Sequence, residues 1–242
     1  MGFSDKSVIV FVEHHDYPRD DRAWEYVGAL GFVRRLVCPF RGEPLGIPGP
    51  EVAGTVIYGG GQNVSEQEKY PFLTEELYWI EACLSRDIPS LGLCLGGQLM
   101  AHALGAQVRR RQPEECEFGC YPLYPTETGQ DWIPAGFHGT EAHYEEFDIP
   151  ADAVHLASSE RFPNQAFRYG DRHFGLQFHP EINRRIFYRW QLADWAMYQV
   201  PGSQDRAEQS RLLSLHDDLQ GRWFRLFLQG LFRRPDAVHE SG

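Results

Sequence analysis

Residues Ile88 to Arg110 read IPSLGLCLGGQLMAHALGAQVRR: an apolar run, one cysteine inside a cage of glycines, and a helical segment. The run from Ile88 to Cys94 predicts a strand. The hexapeptide Gly92-Leu93-Cys94-Leu95-Gly96-Gly97 then fits a sharp strand-to-helix turn of the nucleophile-elbow type, with Cys in place of Ser and glycines relieving the crowding on both sides. Such a turn presents the side chain at the top of a sheet. Backbone N–H groups and the helix dipole there favour thiolate over thiol, which makes Cys94 a nucleophile near neutral pH. Taken alone, the hexapeptide fits a small buried cysteine in a glycine-rich turn equally well.

The sequence around this segment repeats its strand-then-helix alternation. Ser7–Val12, Val33–Phe40 and Gly54–Gly60 predict three strands before Ile88–Cys94. The segment DDRAWEYVGALG, with capping aspartates and a terminal glycine, and FLTEELYWIEACLSRD predict the crossover helices, the Tyr78, Trp79 and Ile80 stripe being core packing. Pro and Gly punctuate short segments from Gln107 to Pro150, which predicts antiparallel strands and long loops. VHLASS, QAFRYG and HFGLQF return as strands, and INRRIFYRWQLADWAM predicts an amphipathic helix. From about Asp205 to Arg234, Leu212, Leu215, Leu219, Trp223, Leu226 and Phe227 fall on one helical face, able to pack on the domain or on a partner. The fold class is α/β, an open, mostly parallel sheet flanked by helices with a C-terminal helical extension, and one domain over 1–242 is expected.

Composition narrows the function. With 23 basic against 34 acidic residues the net charge is −11, which disfavours nucleic acid and anionic membrane surfaces as partners. The compact basic run Arg109 to Arg111 reads as a solvated strand end. Five cysteines (Cys38, Cys83, Cys94, Cys116, Cys120) form no even framework and no CxxC pair, as in a reducing, cytoplasmic setting, and Cys116 with Cys120 makes a poor zinc site. The N-terminal apolar run is too short for a signal peptide, and Lys6 breaks the myristoylation pattern. The loop EHHDYPRDD (Glu13 to Asp21) has no spaced ligand set and reads as a polar loop rather than a metal site. No cofactor motif or P-loop is present.

Two further segments bear on Cys94. In GLQFHPEI (Gly175 to Ile182) an apolar strand ends in His179-Pro180-Glu181. Residues two apart in extended chain share a side, so Glu181 can orient the His179 ring while Pro180 fixes the backbone between them: a base with its orienting acid. In VIYGGGQNV (Val56 to Val64) three glycines follow a strand on the side where open α/β sheets bind ligands. A backbone N–H there can join that of Leu95 in holding an oxyanion.

Together these segments resemble the class I, triad-type glutamine amidotransferases. The family's G-x-C-x-G-x-Q is matched at Gly92, Cys94, Gly96 and Gln98, its H-P-E at His179, Pro180 and Glu181, and its strand-end glycine pair at Gly59 and Gly60. The resemblance runs from about Val8 to Trp190, and NQAFRYGDRHFGLQFHPE is similar to stand-alone relatives of the GMP synthase amidotransferase domain. It implies a flavodoxin-like fold and thiolate attack by Cys94 on a γ-glutamyl carbonyl. It further implies an oxyanion held by Gly60 and Leu95, proton transfer by His179, and glutamine contacts from Gln98. Gly61 departs from the family's Pro. The family's His-Gly-Asp stretch, which touches the amino-acid end of the substrate, has two counterparts, His138-Gly139-Thr140 and His143-Tyr144-Glu145. The distance to Phe147-Asp148-Ile149-Pro150 favours the second, and Tyr144 in place of Gly narrows the mouth.

The expectation is an enzyme that releases ammonia from glutamine for a synthetase supplied in trans. The alternatives are a free-standing γ-glutamyl hydrolase or peptidase acting on γ-glutamyl peptides or amines, and a catalytically silent binding protein. An α/β-hydrolase is disfavoured, because there the acid precedes the histidine.

Overall fold

The computed structural model describes residues 7–111 and 114–232. Lys6 and the predicted end of the tail helix at Arg234 lie outside the described residues. In chain order the strands are β1 (Val8–Val12), β2 (Val33–Val37), β3 (Val52–Ile57), β4 (Ser90–Leu93), β5 (Val108–Arg110) and β6 (Glu117–Pro122). They continue with β7 (Tyr124–Pro125), β8 (His138–His143), β9 (Glu145–Phe147), β10 (Ala153–Ser158), β11 (Ala166–Tyr169) and β12 (His173–Leu176). The helices are α1 (Arg22–Ala29), α2 (Phe72–Ser85), α3 (Leu95–Ala103), α4 (Arg184–Gln191) and α5 (Arg206–Leu231).

Eight strands form one sheet in the order β2-β1-β3-β4-β12-β11-β10-β7. The first five run parallel and the last three antiparallel. Strand β1 is buried on both faces, as a central parallel strand covered by helices must be. The punctuated stretch after Gly105 makes two antiparallel pairs, β5 with β9 and β6 with β8.

Asp21 caps α1 through the Trp24 N–H, and Gly31 leaves the helix at φ +82°. Strand β2 stops at Val37, short of Phe40, because Pro39 has no N–H for the ladder and starts a 3₁₀ turn. Of the α2 stripe, Trp79 and Ile80 are core, but Tyr78 is exposed. Three consecutive helical residues spread over about 200° of the helix circumference, wider than the buried stripe, so one of them faces solvent.

Two longer expectations are also corrected. Helix α4 starts at its Asn183 cap but ends at Gln191 rather than continuing to Met197. The chain beyond it turns so that Trp195 and Tyr198 pack edge-on against Phe118. Helix α5 forms, with a different buried face. Leu215 and Leu226 are exposed, while Gln209, Leu213, Asp217, Gln220, Phe224 and Leu228 point inward onto α1, α4, β6 and β8. Half of that face is polar because it serves the backbone beneath it. Gln209 donates to the Phe118 carbonyl, and the Gln220 side-chain oxygen accepts from the Thr140 N–H. An apolar periodicity cannot register such a stripe.

Candidate active site

The site begins with the steric demands of the turn after β4. Cys94 sits at φ 51°, ψ −109°, a strained conformation for a residue with a Cβ. Backbone closes in around it. A Cβ on Gly92 would collide with the Gly96 carbonyl, and one on Gly96 with the Ile57 carbonyl. The glycine cage is therefore the condition for α3 to start directly above β3 and β4. The Cys94 N–H donates to the Leu176 carbonyl at 2.7 Å, tying the elbow to β12.

Strand β12 lies parallel to β4 with Leu176 opposite Leu93, so both strands deliver their next residues to the same edge of the sheet. Gln177 donates from Nε2 to Cys94 Sγ at 3.5 Å, and two residues on, the His179 ring feels the charge of the same sulfur. The Nδ1 of His179 is 2.7 Å from Glu181 Oε1, which leaves Nε2 for the thiol. All three side chains are buried. Burial on its own lowers the imidazole pKa, but the Glu181 carboxylate and the Cys94 sulfur outweigh it and hold His179 well above the ordinary histidine range. Trp190 closes the other side, edge-on to the imidazole at 5.0 Å.

The His-Pro-Glu turn is gripped from beneath. Arg22, at the start of α1, donates its N–H to the Glu181 carbonyl at 2.9 Å and Nη1 to the Ile182 carbonyl at 2.6 Å. Its Nη2 pairs with Asp217 of α5 at 2.7 Å.

A cavity of about 340 Å³ opens over the sulfur. Its lining includes Gly60, Gln98, Tyr144, Glu145 and Trp190. Leu95 heads α3, and its side chain fills the space where a Gly60 Cβ would lie, so the glycine loop and the helix N-terminus meet beside the thiol. Gln98 is buried rather than an exposed polar residue, and donates to Gln177 Oε1 at 3.3 Å. Gln177 thus links Gln98 to Cys94. Sequence reading missed it, although its spacing of two from His179, just past the strand end, was the available signal.

Of the two His-containing loops, His143-Tyr144-Glu145 lines the cavity. His138 instead stacks on His216 of α5, ring centroids 3.5 Å apart. The His143 ring turns inward: Nδ1 donates to the Glu145 carbonyl at 2.9 Å, and Nε2 lies 3.3 Å from Glu117 and 3.4 Å from Glu141. Among the described residues these three form one group whose ligand-type atoms lie within 4.8 Å of one another. Desolvation and the Glu117 charge push Glu141 well above the usual carboxylate range. Tyr144 stands at the mouth, its hydroxyl 3.3 Å from Asn63 Oδ1 and its ring under Arg110. Burial raises Glu145 to about 7.

The loop Glu13 to Asp21, read as an ordinary polar loop, forms one wall of the cavity. Glu13 accepts from the N–H groups of His14 and His15 and pairs with Arg19, while Asp21 accepts from the Tyr58 hydroxyl at 2.7 Å. His15 Nε2 accepts from the Gly61 N–H at 3.2 Å, a donor that a proline at position 61 would lack.

A cysteine elbow on one parallel strand, facing a histidine–glutamate pair at the end of its neighbour, places the protein among α/β proteins built around a nucleophile-type turn. The chain belongs to the class I glutamine amidotransferase family, whose model, Glutamine amidotransferase class-I, matches residues 45–189. A glutamine amidotransferase-like protein of Salmonella typhimurium is 30% identical over 181 residues, which is 71% of this chain and 74% of that protein. The GMP synthase [glutamine-hydrolyzing] of Chlamydia caviae is 33% identical over 135 residues, 53% of this chain but only 25% of its own length. In structure, a glutamine amidotransferase from Thermotoga maritima superposes with a TM-score of 0.83 at 27% identity, covering 95% of this chain and 99% of that one. No helix among the described residues is long and apolar enough to cross a membrane.

Proposed function

We propose that the protein hydrolyses the γ-carboxamide of glutamine through a cysteine thioester. The observation that carries this reading is the strained Cys94 elbow sharing one cavity with a His179 ring that Glu181 holds at 2.7 Å. Cys94 Sγ attacks the γ-carbonyl carbon. The C–S bond forms as the carbonyl π pair moves onto oxygen, where the N–H groups of Gly60 and Leu95 receive it. The oxygen pair returns, the C–N bond breaks, and protonated His179 gives its proton to the departing nitrogen, which leaves as ammonia. Water then gives a proton to His179 and attacks the thioester carbonyl, releasing glutamate and restoring Cys94. Gln98 and the Tyr144–Glu145 segment hold the amino-acid end of the substrate, and the ammonia serves a separate synthetase.

A second substrate class is favoured by one observation. Tyr144 fills a position that is glycine in the pattern this chain resembles, and Trp195 and Met197 extend the cavity wall beyond the sulfur. A larger amine leaving group, as in γ-glutamyl amines, would contact those apolar side chains.

The test is intact-protein mass after exposure to a glutamine-mimicking diazoketone, together with release of glutamate from glutamine and from a γ-glutamyl amine. A single adduct on the wild-type protein that is absent from Cys94→Ala supports the reading. An unmodified protein whose Cys94 still reacts with a simple alkylating reagent overturns glutamine as the ligand.

A further inference from the structure

One buried histidine beside the cavity has no part in the chemistry above. His14, on the loop after β1, has a side chain with no exposed surface, as does Glu76 on α2. Its Nε2 is 2.8 Å from Glu76 Oε2, and its Nδ1 is 3.2 Å from the carbonyl oxygen of Gly59. Carbonyl and carboxylate oxygens only accept, so a ring bonded to both carries a proton on each nitrogen and is an imidazolium.

Its surroundings fit that charge. Burial opposes it, but Glu76, facing it from α2, and Glu13, adjacent on its own loop, outweigh the penalty and raise its pKa. The other groups nearby are Arg19, which is paired to Glu13, and the Phe72 ring, 6.3 Å away. Next in the chain, His15 is pushed down to about 4 by burial, the His14 charge and Arg19, so it stays neutral and accepts from the Gly61 N–H. Adjacent histidines thus hold the glycine loop in opposite senses, one as donor and one as acceptor.

The carbonyl of Gly59 and the N–H of Gly60 belong to a single planar peptide unit and point in opposite directions. A donor fixed on the carbonyl therefore fixes the direction of the N–H, and a charged donor also polarises the unit so that the N–H donates more strongly. Gly59 itself touches the site, since a Cβ there would lie 2.8 Å from His179 Cε1 and 3.3 Å from Cys94 Cβ.

We propose that His14, held by Glu76, is a positioning residue that locks the Gly59–Gly60 peptide so that the Gly60 N–H faces the acyl group on Cys94 as an oxyanion donor. This rests on the amide-hydrolysis reading given above.

The experiment compares wild type, His14→Leu, His14→Gln and Glu76→Gln in the full chain. It measures kcat and KM for glutamate release, and separately the rate at which iodoacetamide alkylates Cys94. Alkylation passes through no oxyanion, so it reports whether the thiol and its surroundings are intact. Removing one oxyanion donor costs about 100-fold or more in kcat, and H14L is expected to lose on the order of 100-fold with KM and alkylation rate each within about threefold of wild type. H14Q, which keeps an N–H for the Gly59 carbonyl, and E76Q, which lets a neutral ring keep its Nδ1–H there, are expected to fall between wild type and H14L.

A wild-type kcat in H14L overturns the proposal, as does a fall in alkylation that parallels the fall in kcat across the variants. If H14L does not fold, the same criteria apply to H14Q. The amide-hydrolysis reading fails on its own terms if wild type and Cys94→Ala release glutamate at the same rate, or if wild type releases none, and the proposal falls with it.

Discussion

Replacing Asp217 on α5 with Asn tests whether the C-terminal helix holds the His-Pro-Glu turn. The side chains of Arg22 and Asp217 are 8% and 6% exposed, so solvent screens their 2.7 Å contact little. Asn leaves the Arg22 guanidinium buried without a counter-charge, and breaking a buried pair in this way costs about 3 kcal/mol or more. For a chain of this size, about 3 kcal/mol corresponds to a fall in Tm on the order of 10 °C, read by circular dichroism. The double replacement Arg22→Met with Asp217→Leu strands no charge and should melt closer to wild type than D217N does. Its kcat should nevertheless stay low, because the carbonyls of Pro180 and Ile182 have lost the Nη1 donor that fixes the turn. Stability and turnover thus separate in one series. A D217N protein melting within about 2 °C of wild type, together with an Arg22→Met protein of unchanged kcat, would refute the reasoning.

Three further outcomes are expected. Gln177→Leu removes the donor to Cys94 Sγ and the acceptor of Gln98, and should lower kcat/KM by about 10-fold, roughly one hydrogen bond to a charged group, with the fold intact by circular dichroism. Gly96→Ala drives a Cβ into the Ile57 carbonyl; α3 must lift from the sheet, costing about 3 kcal/mol in denaturant melts and abolishing diazoketone trapping. Asp21 is raised to about 6, chiefly by burial. The unfolded chain therefore releases this proton near 3.8 while the folded one keeps it to about 6. Across that window the folded state binds more protons, and stability falls as pH rises by up to about 3 kcal/mol. Asp21→Asn retains the helix cap and should flatten that decline in pH-dependent melts.

What could be read directly from the sequence was what backbone geometry forces into residue choice. Gly92 and Gly96 are compelled by carbonyls lying where a Cβ would go, and His179 and Glu181 stand two apart with Pro180 between them, where the chain turns rather than runs extended as the sequence suggested. The order of the first four strands and their crossover helices comes from the same local periodicities. Features that depend on distant neighbours were not legible. Neither the inward turn of His143 onto Glu117 and Glu141 nor the burial of His14 against Glu76 leaves a pattern along the chain, since the partners come from other elements. The polar inner face of α5 escaped for the same reason, its Gln209, Asp217 and Gln220 being selected by backbone and charge that only the folded molecule brings near.

The adjacency of β4 and β12 also governs when the site exists during synthesis. Gln177 lies 83 residues after Cys94, and β12 is the last strand of the sheet to be made, yet it sits between β4 and β11. Cys94 is therefore synthesised well before His179, and the middle of the sheet is completed only by the last of its strands. The thiol and the imidazole are thus brought together by a late, long-range strand pairing rather than by the elbow itself.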